Sequence, residues 1–159
     1  MAVKKMSYWT TYIMLFVTVV VFGSFGLFLY LESKKDPAFS ITVPMKIDGV
    51  EVEASIAKTL PERIQGLSGT KALPKNVVKI FMFNSSGQHS IWMKDMNYAI
   101  DILWVDEAGK IVHIEEKVSP DTYPESFTSE DPAFYVIETN AGFIEDHGVL
   151  VGEMVVLPK

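Results

Sequence analysis

The chain has 159 residues, no cysteine, a formal net charge of −6 and one arginine, Arg63. The missing thiols exclude disulfides, thiolate nucleophiles, cysteine-ligated zinc and iron–sulfur clusters. The acidic balance argues against a nucleic-acid partner, because phosphate binding needs clustered Lys and Arg.

Residues 1–7 form a short tail containing Lys4 and Lys5. From Tyr8 to Leu31, YWTTYIMLFVTVVVFGSFGLFLYL carries no charge. As a helix it spans about 36 Å, the length of a tilted membrane crossing. Tyr8, Trp9, Tyr12 and Tyr30 stand near its ends, where aromatic side chains anchor a span. It is longer than a signal-peptide core and lacks an A-x-A-like cleavage site. The expectation is an uncleaved signal anchor across residues 8–31. Lysines flank both ends, so the positive-inside rule is tied, and the short tail before a full domain favours a domain outside the cytoplasm. Residues 32–40 read as a polar linker, and residues 41–159 as one β-rich domain.

Val43 to Ala57 contains Asp48-Gly49 between two strand-like runs, the signature of a hairpin with a type I′ turn. Thr59 followed by Glu62 forms a capping box, which starts a short helix over 60–65 that Gly66 ends. Val77–Phe83 reads as a buried strand and the following NSSGQ as a turn. Strands are expected at 90–96 and 99–105, with a bend at Asn97-Tyr98. Gly109 turns the chain into a strand at 111–118. Residues 119–132, rich in Pro, Ser and acids, form a long loop. A strand at 133–139, a short helix closed by Gly148 and a last strand at 153–157 complete the chain. Strands follow one another without long helices between them. The predicted class is mainly β, an antiparallel β-sandwich or barrel with two short helices and one N-terminal transmembrane helix.

Within IWMKDMNYAIDILWV, Lys94 and Asp101 are opposite charges in an apolar run. Strand alternation groups Trp92, Lys94 and Met96 on one face. Asp101 shares a face with Leu103 and Val105, opposite Ile100, Ile102 and Trp104. A buried acid needs a partner, and for Asp101 the candidates are Lys94, Arg63 and backbone amides. The pair can fix strand register, or it can sit beside Trp92 as a binding surface. Glu138 is a second acid in an apolar strand. With Asp101 it supplies the two carboxyls that hydrolysis requires, if both face one cleft. His89, His113 with Glu115, and His147 show no metal-ligand spacing, so no metal site is expected. No phosphate-binding glycine loop or nucleophile elbow is present, and no cofactor is expected.

The pieces TLPERIQGL, IFMF, IWMKDMNYAIDILWVDEAGKIVHI, TYP and YVIETNAGF, with a final G-x-x-x-G-E-M-V, occur in order between Val43 and Leu157. This segment resembles the bacterial and archaeal family called domain of unknown function 192. The resemblance implies a compact, mostly β domain, often exported or membrane-tethered, with no established activity. Its family-typical residues here are Glu62, Gly66, Leu67, Trp92, Met93, Lys94, Asp101, Glu138 and Gly142. The chain departs from the family at Ser68, Val78-Lys79, Ala99 and Glu153.

The expected function is a membrane-anchored binding or accessory protein of the cell envelope. Arg63, Trp92, Lys94 and Asp101 would form its surface, bordered by residues 119–132, for a small molecule, a glycan or an envelope protein. The alternatives are an envelope hydrolase using Asp101 and Glu138, and a structural protein-interaction module.

Overall fold

The computed structural model describes residues 8–32 and 37–158. The tail at 1–7 and residues 33–36 of the expected linker lie outside the described residues. The chain divides into two compact units, residues 1–37 and 38–159.

In the first unit, helix α1 runs over Tyr8–Glu32. The helix expected there forms. Among the described residues no helix is long and apolar enough to cross a membrane.

A 3₁₀ turn, Pro37–Phe39, leads into the second unit. Strands β1 (Val43–Ile47) and β2 (Val50–Ala57) pair antiparallel with Ile47 opposite Val50. The turn between them is made by Asp48 at φ 45° and Gly49 at φ 79°. Two positive φ values are what a type I′ turn requires, and they match the twist of the flanking strands. Helix α2 (Leu60–Gln65) carries the capping box, with Thr59 Oγ1 accepting from the Glu62 amide and the Glu62 carboxyl accepting from the Thr59 amide. It crosses over to β3 (Val77–Gly87), which lies parallel to β2. The expectation of antiparallel pairing fails here, because a helix between two strands lets the second run in the same direction as the first.

Next come β4 (Ile91–Trp92), β5 (Ile100–Val105), β6 (Ile111–Val118), β7 (Ser126–Phe127) and β8 (Ala133–Asn140). Helix α3 (Phe143–His147) and β9 (Val155–Val156) close the chain. The main sheet has the order β6-β5-β8-β3-β2-β1-β9, and β4 pairs with β7 in a small second sheet. The seven strands curl, and the two edges meet. Lys110 bridges to Met154, Ile111 N–H donates to Glu153 O at 2.9 Å, and Val155 N–H donates to Gly109 O at 2.7 Å. The result is a half-barrel of mixed strands rather than a sandwich.

Strand β5 is buried at every position. Leu103 and Val105 enter one core with Val78, Ile80 and Ile137, while Ile100, Ile102 and Trp104 enter another with Phe81, Met93 and Val136. A strand covered on both faces reads as an unbroken apolar run. That is why IDILWV shows so little polar alternation.

Candidate functional site

Asp101 is fully buried. One carboxyl oxygen accepts the Lys117 amide at 2.8 Å and the other accepts the Ile144 amide at 3.0 Å. The pairing of β5 with β6 skips a residue here: Ile100 faces Val118, whereas Ile102 faces Glu115. The resulting bulge leaves Lys117 at φ 52°, and a bulged residue loses its ladder partner. Asp101 supplies the missing acceptor and ties the same point to the first turn of α3. Backbone amides, among the partners expected for it, are the ones it uses. The pairing with Lys94 does not occur.

Lys94 is exposed and lies in a turn, not a strand. Strand β4 ends at Trp92, and Asp95 adopts φ 54°. The turn docks on the loop after α2. Ser68 Oγ donates to Lys94 O at 2.7 Å, Gly69 N–H donates to Asp95 O at 2.8 Å, and Asn97 Nδ2 donates to Thr70 O at 2.8 Å. These peptide contacts replace the ladder, so the strand expected at 90–96 shrinks to two residues. Trp92 is 48% exposed, and Trp92 and Ile91 pair with Ser126 and Phe127 of β7. The loop at 119–132 therefore borders Trp92, as expected, through a short strand of its own.

On the other face of the sheet is a polar row that the sequence reading only half identified. Ser55, Lys79 and Glu138 are register partners across β2, β3 and β8, and Ile102 of β5 follows in the same row. Partners in register point to one side of a sheet. Glu138 thus shares the face of Ile100, Ile102 and Trp104, and Asp101 has the opposite one. This removes the Asp101–Glu138 acid pair as a hydrolytic site, since two carboxyls on opposite faces cannot act on one bond.

Lys79 and Glu138 are 7% and 4% exposed, so both ionisable groups sit in the interior. Lys79 Nζ donates to Ser55 Oγ at 3.2 Å, and Ser55 Oγ donates to Ala38 O at 3.0 Å. Among the described residues, Glu138 Oε2 has no hydrogen-bond partner. Burial pushes the Glu138 carboxyl up to about 8, against the smaller opposing pull of Lys79. Burial likewise lowers the Lys79 ammonium, against Glu138 and Glu62. Desolvation outweighs mutual attraction for both partners. At neutral pH Glu138 is an acid that keeps its proton, able to donate a hydrogen bond.

Glu138 lines a cleft of about 200 Å³. Arg63, Gly66, Phe81, Phe83, Trp92 and Met96 are among its walls. The Arg63 guanidinium lies 5.1 Å from the centroid of the Phe83 ring. Its Nη1 donates to Met82 O at 3.1 Å and also to Lys58 O. His89 stacks on Phe83 with ring centroids 3.5 Å apart. Burial lowers the His89 pKa, partly opposed by its hydrogen bond to Ser85 O. Gly66 stands at φ 49°, and a Cβ there would come within 3.1 Å of Phe81. Only glycine lets the chain leave α2 so close to the aromatic wall.

Of the four expected binding residues, Arg63 and Trp92 meet in this cleft, while Lys94 and Asp101 do not line it. Glu138, expected as a catalytic partner, is in the cleft without Asp101. Lys79 was missed, although a lone lysine in VVKIFMF is the kind of interior charge that signals a site or a buried pair. The remaining histidines pair elsewhere. His113 Nε2 lies 3.0 Å from Glu115 Oε1, and His147 packs on Phe143. Among the described residues no three His, Cys, Asp or Glu side chains gather as metal ligands would. A larger hollow, about 440 Å³, lies over the β1–β2 hairpin around Met45, Val52 and Val156, with Lys46 and Glu51 exposed and Glu53 half-buried at its rim.

The fold and the site define a small half-barrel domain with an acid-floored aromatic cleft. Residues 43–157 match the family described as DUF192, an uncharacterized ACR, and the chain belongs to that family. Two solved structures share the fold. One, described as a candidate transcription regulator from Sinorhizobium meliloti 1021, is 23% identical with a TM-score of 0.68, covering 76% of this chain and 96% of its own. The other, a protein of unknown function from Novosphingobium aromaticivorans DSM 12444, is 21% identical with a TM-score of 0.68, covering 78% of this chain and 99% of its own. No curated protein matches the chain.

Proposed function

We propose that this is a membrane-tethered binding or accessory domain of the cell envelope, with its β-unit outside the cytoplasm and its ligand in the Arg63–Trp92–Glu138 cleft. The observation that carries the binding role is the Glu138 carboxyl, buried at the cleft with one oxygen unpartnered. Buried polar atoms without partners are rare and costly, and an apolar pocket with a few polar groups is the usual form of a ligand site. The charge-free run Tyr8–Leu31, within a helix of 25 residues, supports the tether. The transcriptional description of one structural neighbour is not carried over, because 14 basic residues stand against 20 acids here and one arginine is present.

Two experiments test this reading. The chain has no cysteine, so a single Lys75→Cys reports sidedness cleanly. A membrane-impermeant maleimide should label it in intact cells; labelling only after lysis contradicts an outside domain. A panel of small aromatic fragments, screened by ligand-observed NMR on the full chain in detergent micelles, should give hits that Trp92→Ala abolishes. Hits indifferent to Trp92→Ala would move the site elsewhere. The interaction-module reading is favoured by exposed Leu150, Val151, Met154 and Val156 around β9. It predicts partner binding sensitive to those residues and insensitive to Trp92.

A further inference from the structure

We infer that the cleft takes a small organic carboxylate, with its acid group on Arg63 and an apolar body the size of one ring against Phe81, Trp92 and Met96. This rests on the cleft being the ligand site, as proposed above, and adds the chemical class.

Arg63 is held ready for an anion. Phe83 packs against its guanidinium, and Nη1 donates to the carbonyls of Lys58 and Met82. Among the described residues, Arg63 forms no ion pair with an acid, and its Nε and Nη2 donate to no acceptor. Those two N–H groups form one edge of a planar fork, the geometry that receives a carboxylate through two parallel hydrogen bonds. A guanidinium already fixed by backbone carbonyls and a ring loses little freedom on binding.

The rest of the cleft fits the same class. About 200 Å³ is room for roughly seven waters at about 30 Å³ each, which is the scale of a single ring with a short acidic arm. Glu138 would repel an anion if ionised. Its buried carboxyl keeps its proton at neutral pH and can donate to a carboxylate or carbonyl oxygen. A cationic amine finds no such welcome: Arg63 repels it and protonated Glu138 offers no counter-charge. The Ser55–Lys79 contact lies deeper in the same row, and neither residue lines the cleft, so it adds no nucleophile.

The test is a titration of the full chain in detergent micelles with four probes sharing one ring: phenylacetate, phenyl phosphate, benzyl alcohol and benzylamine. Affinity is read by saturation-transfer NMR and by tryptophan fluorescence. Phenylacetate should bind about ten-fold or more tightly than benzyl alcohol or benzylamine, the scale of a charge-assisted hydrogen bond. Its affinity should fall as pH rises through about 8. Arg63→Gln should remove the preference for phenylacetate while leaving benzyl alcohol unchanged. The probe ranking and the pH profile need no variant, so they stand even if Arg63→Gln fails to fold. Benzylamine or phenyl phosphate binding tightest, or an Arg63→Gln protein that keeps the preference, overturns the carboxylate assignment and leaves the cleft as a ligand site. No binding by any of the four overturns both.

Discussion

Asp101 and Glu138 are both acids set in apolar strands, and the difference between them is hydrogen bonding. Asp101 has an amide for each oxygen; Glu138 has an oxygen with none. Asp101→Leu should destabilise the domain by about 3–5 kcal/mol, because it leaves two buried amides without acceptors. Lys94→Met, on an exposed turn, should change stability by less than about 0.5 kcal/mol. Chemical denaturation of the two variants checks both. Glu138 works in the other direction. Its folded pKa, about 8, lies above the ordinary 4.5, so the folded state holds a proton that the unfolded chain releases. The stability this group contributes is full below about pH 4.5 and is lost as pH rises through about 8. Glu138→Gln, which carries no proton to lose, should flatten that slope and be more stable than the parent at pH 7. A variant whose stability curve still falls between pH 5 and 8 by the same amount would show that another group titrates there. At this scale the sequence made one need visible: a buried Asp must be paired. It could not say with what, since the amide of Lys117 becomes available only through a bulge 16 residues away.

Among the elements, those specified by neighbouring residues were legible. Asp48-Gly49 demanded its hairpin, and Thr59 with Glu62 announced α2. The Glu62 carboxyl is held below the usual range by the amides of Thr59 and Lys58. Thr59→Ala should cost about 1 kcal/mol and, because Arg63 sits on α2, should loosen the cleft as well, which fluorescence of Trp92 with a bound probe can follow. Elements specified by distant partners were not legible. Strand alternation predicted a continuous strand through Lys94, but Ser68 and Gly69 capture the carbonyls of Lys94 and Asp95 and stop it at Trp92. The same contacts give the IWMKDMNYAIDILWV segment a role beyond its charges. It braces the loop after α2, and through it Gly66 and Arg63, against the wall that carries Trp92.

At the scale of the molecule, composition and strand succession were enough for a mainly β domain, but not for the parallel β2–β3 pair or the curl of the sheet. Closure depends on Gly109, at φ 89°, where an added Cβ would lie 2.7 Å from Val155 O. Gly109→Ala should therefore lower stability by about 1–3 kcal/mol and raise amide exchange at Ile111 and Val155, the residues that seal the seam. Strands β2, β3 and β8 bring Ser55, Lys79 and Glu138 into one row, and Glu138 lies at the cleft to which α2 and β4 contribute Arg63 and Trp92. The central claim is that this cleft is a ligand site floored by a protonated acid. Carboxyl carbon-13 NMR of Glu138, followed against pH with and without phenylacetate, tests it most directly. The account predicts a midpoint near 8 in the free protein that moves higher when the anion is bound. A midpoint in the ordinary carboxylate range, or one that phenylacetate leaves unmoved, would contradict it.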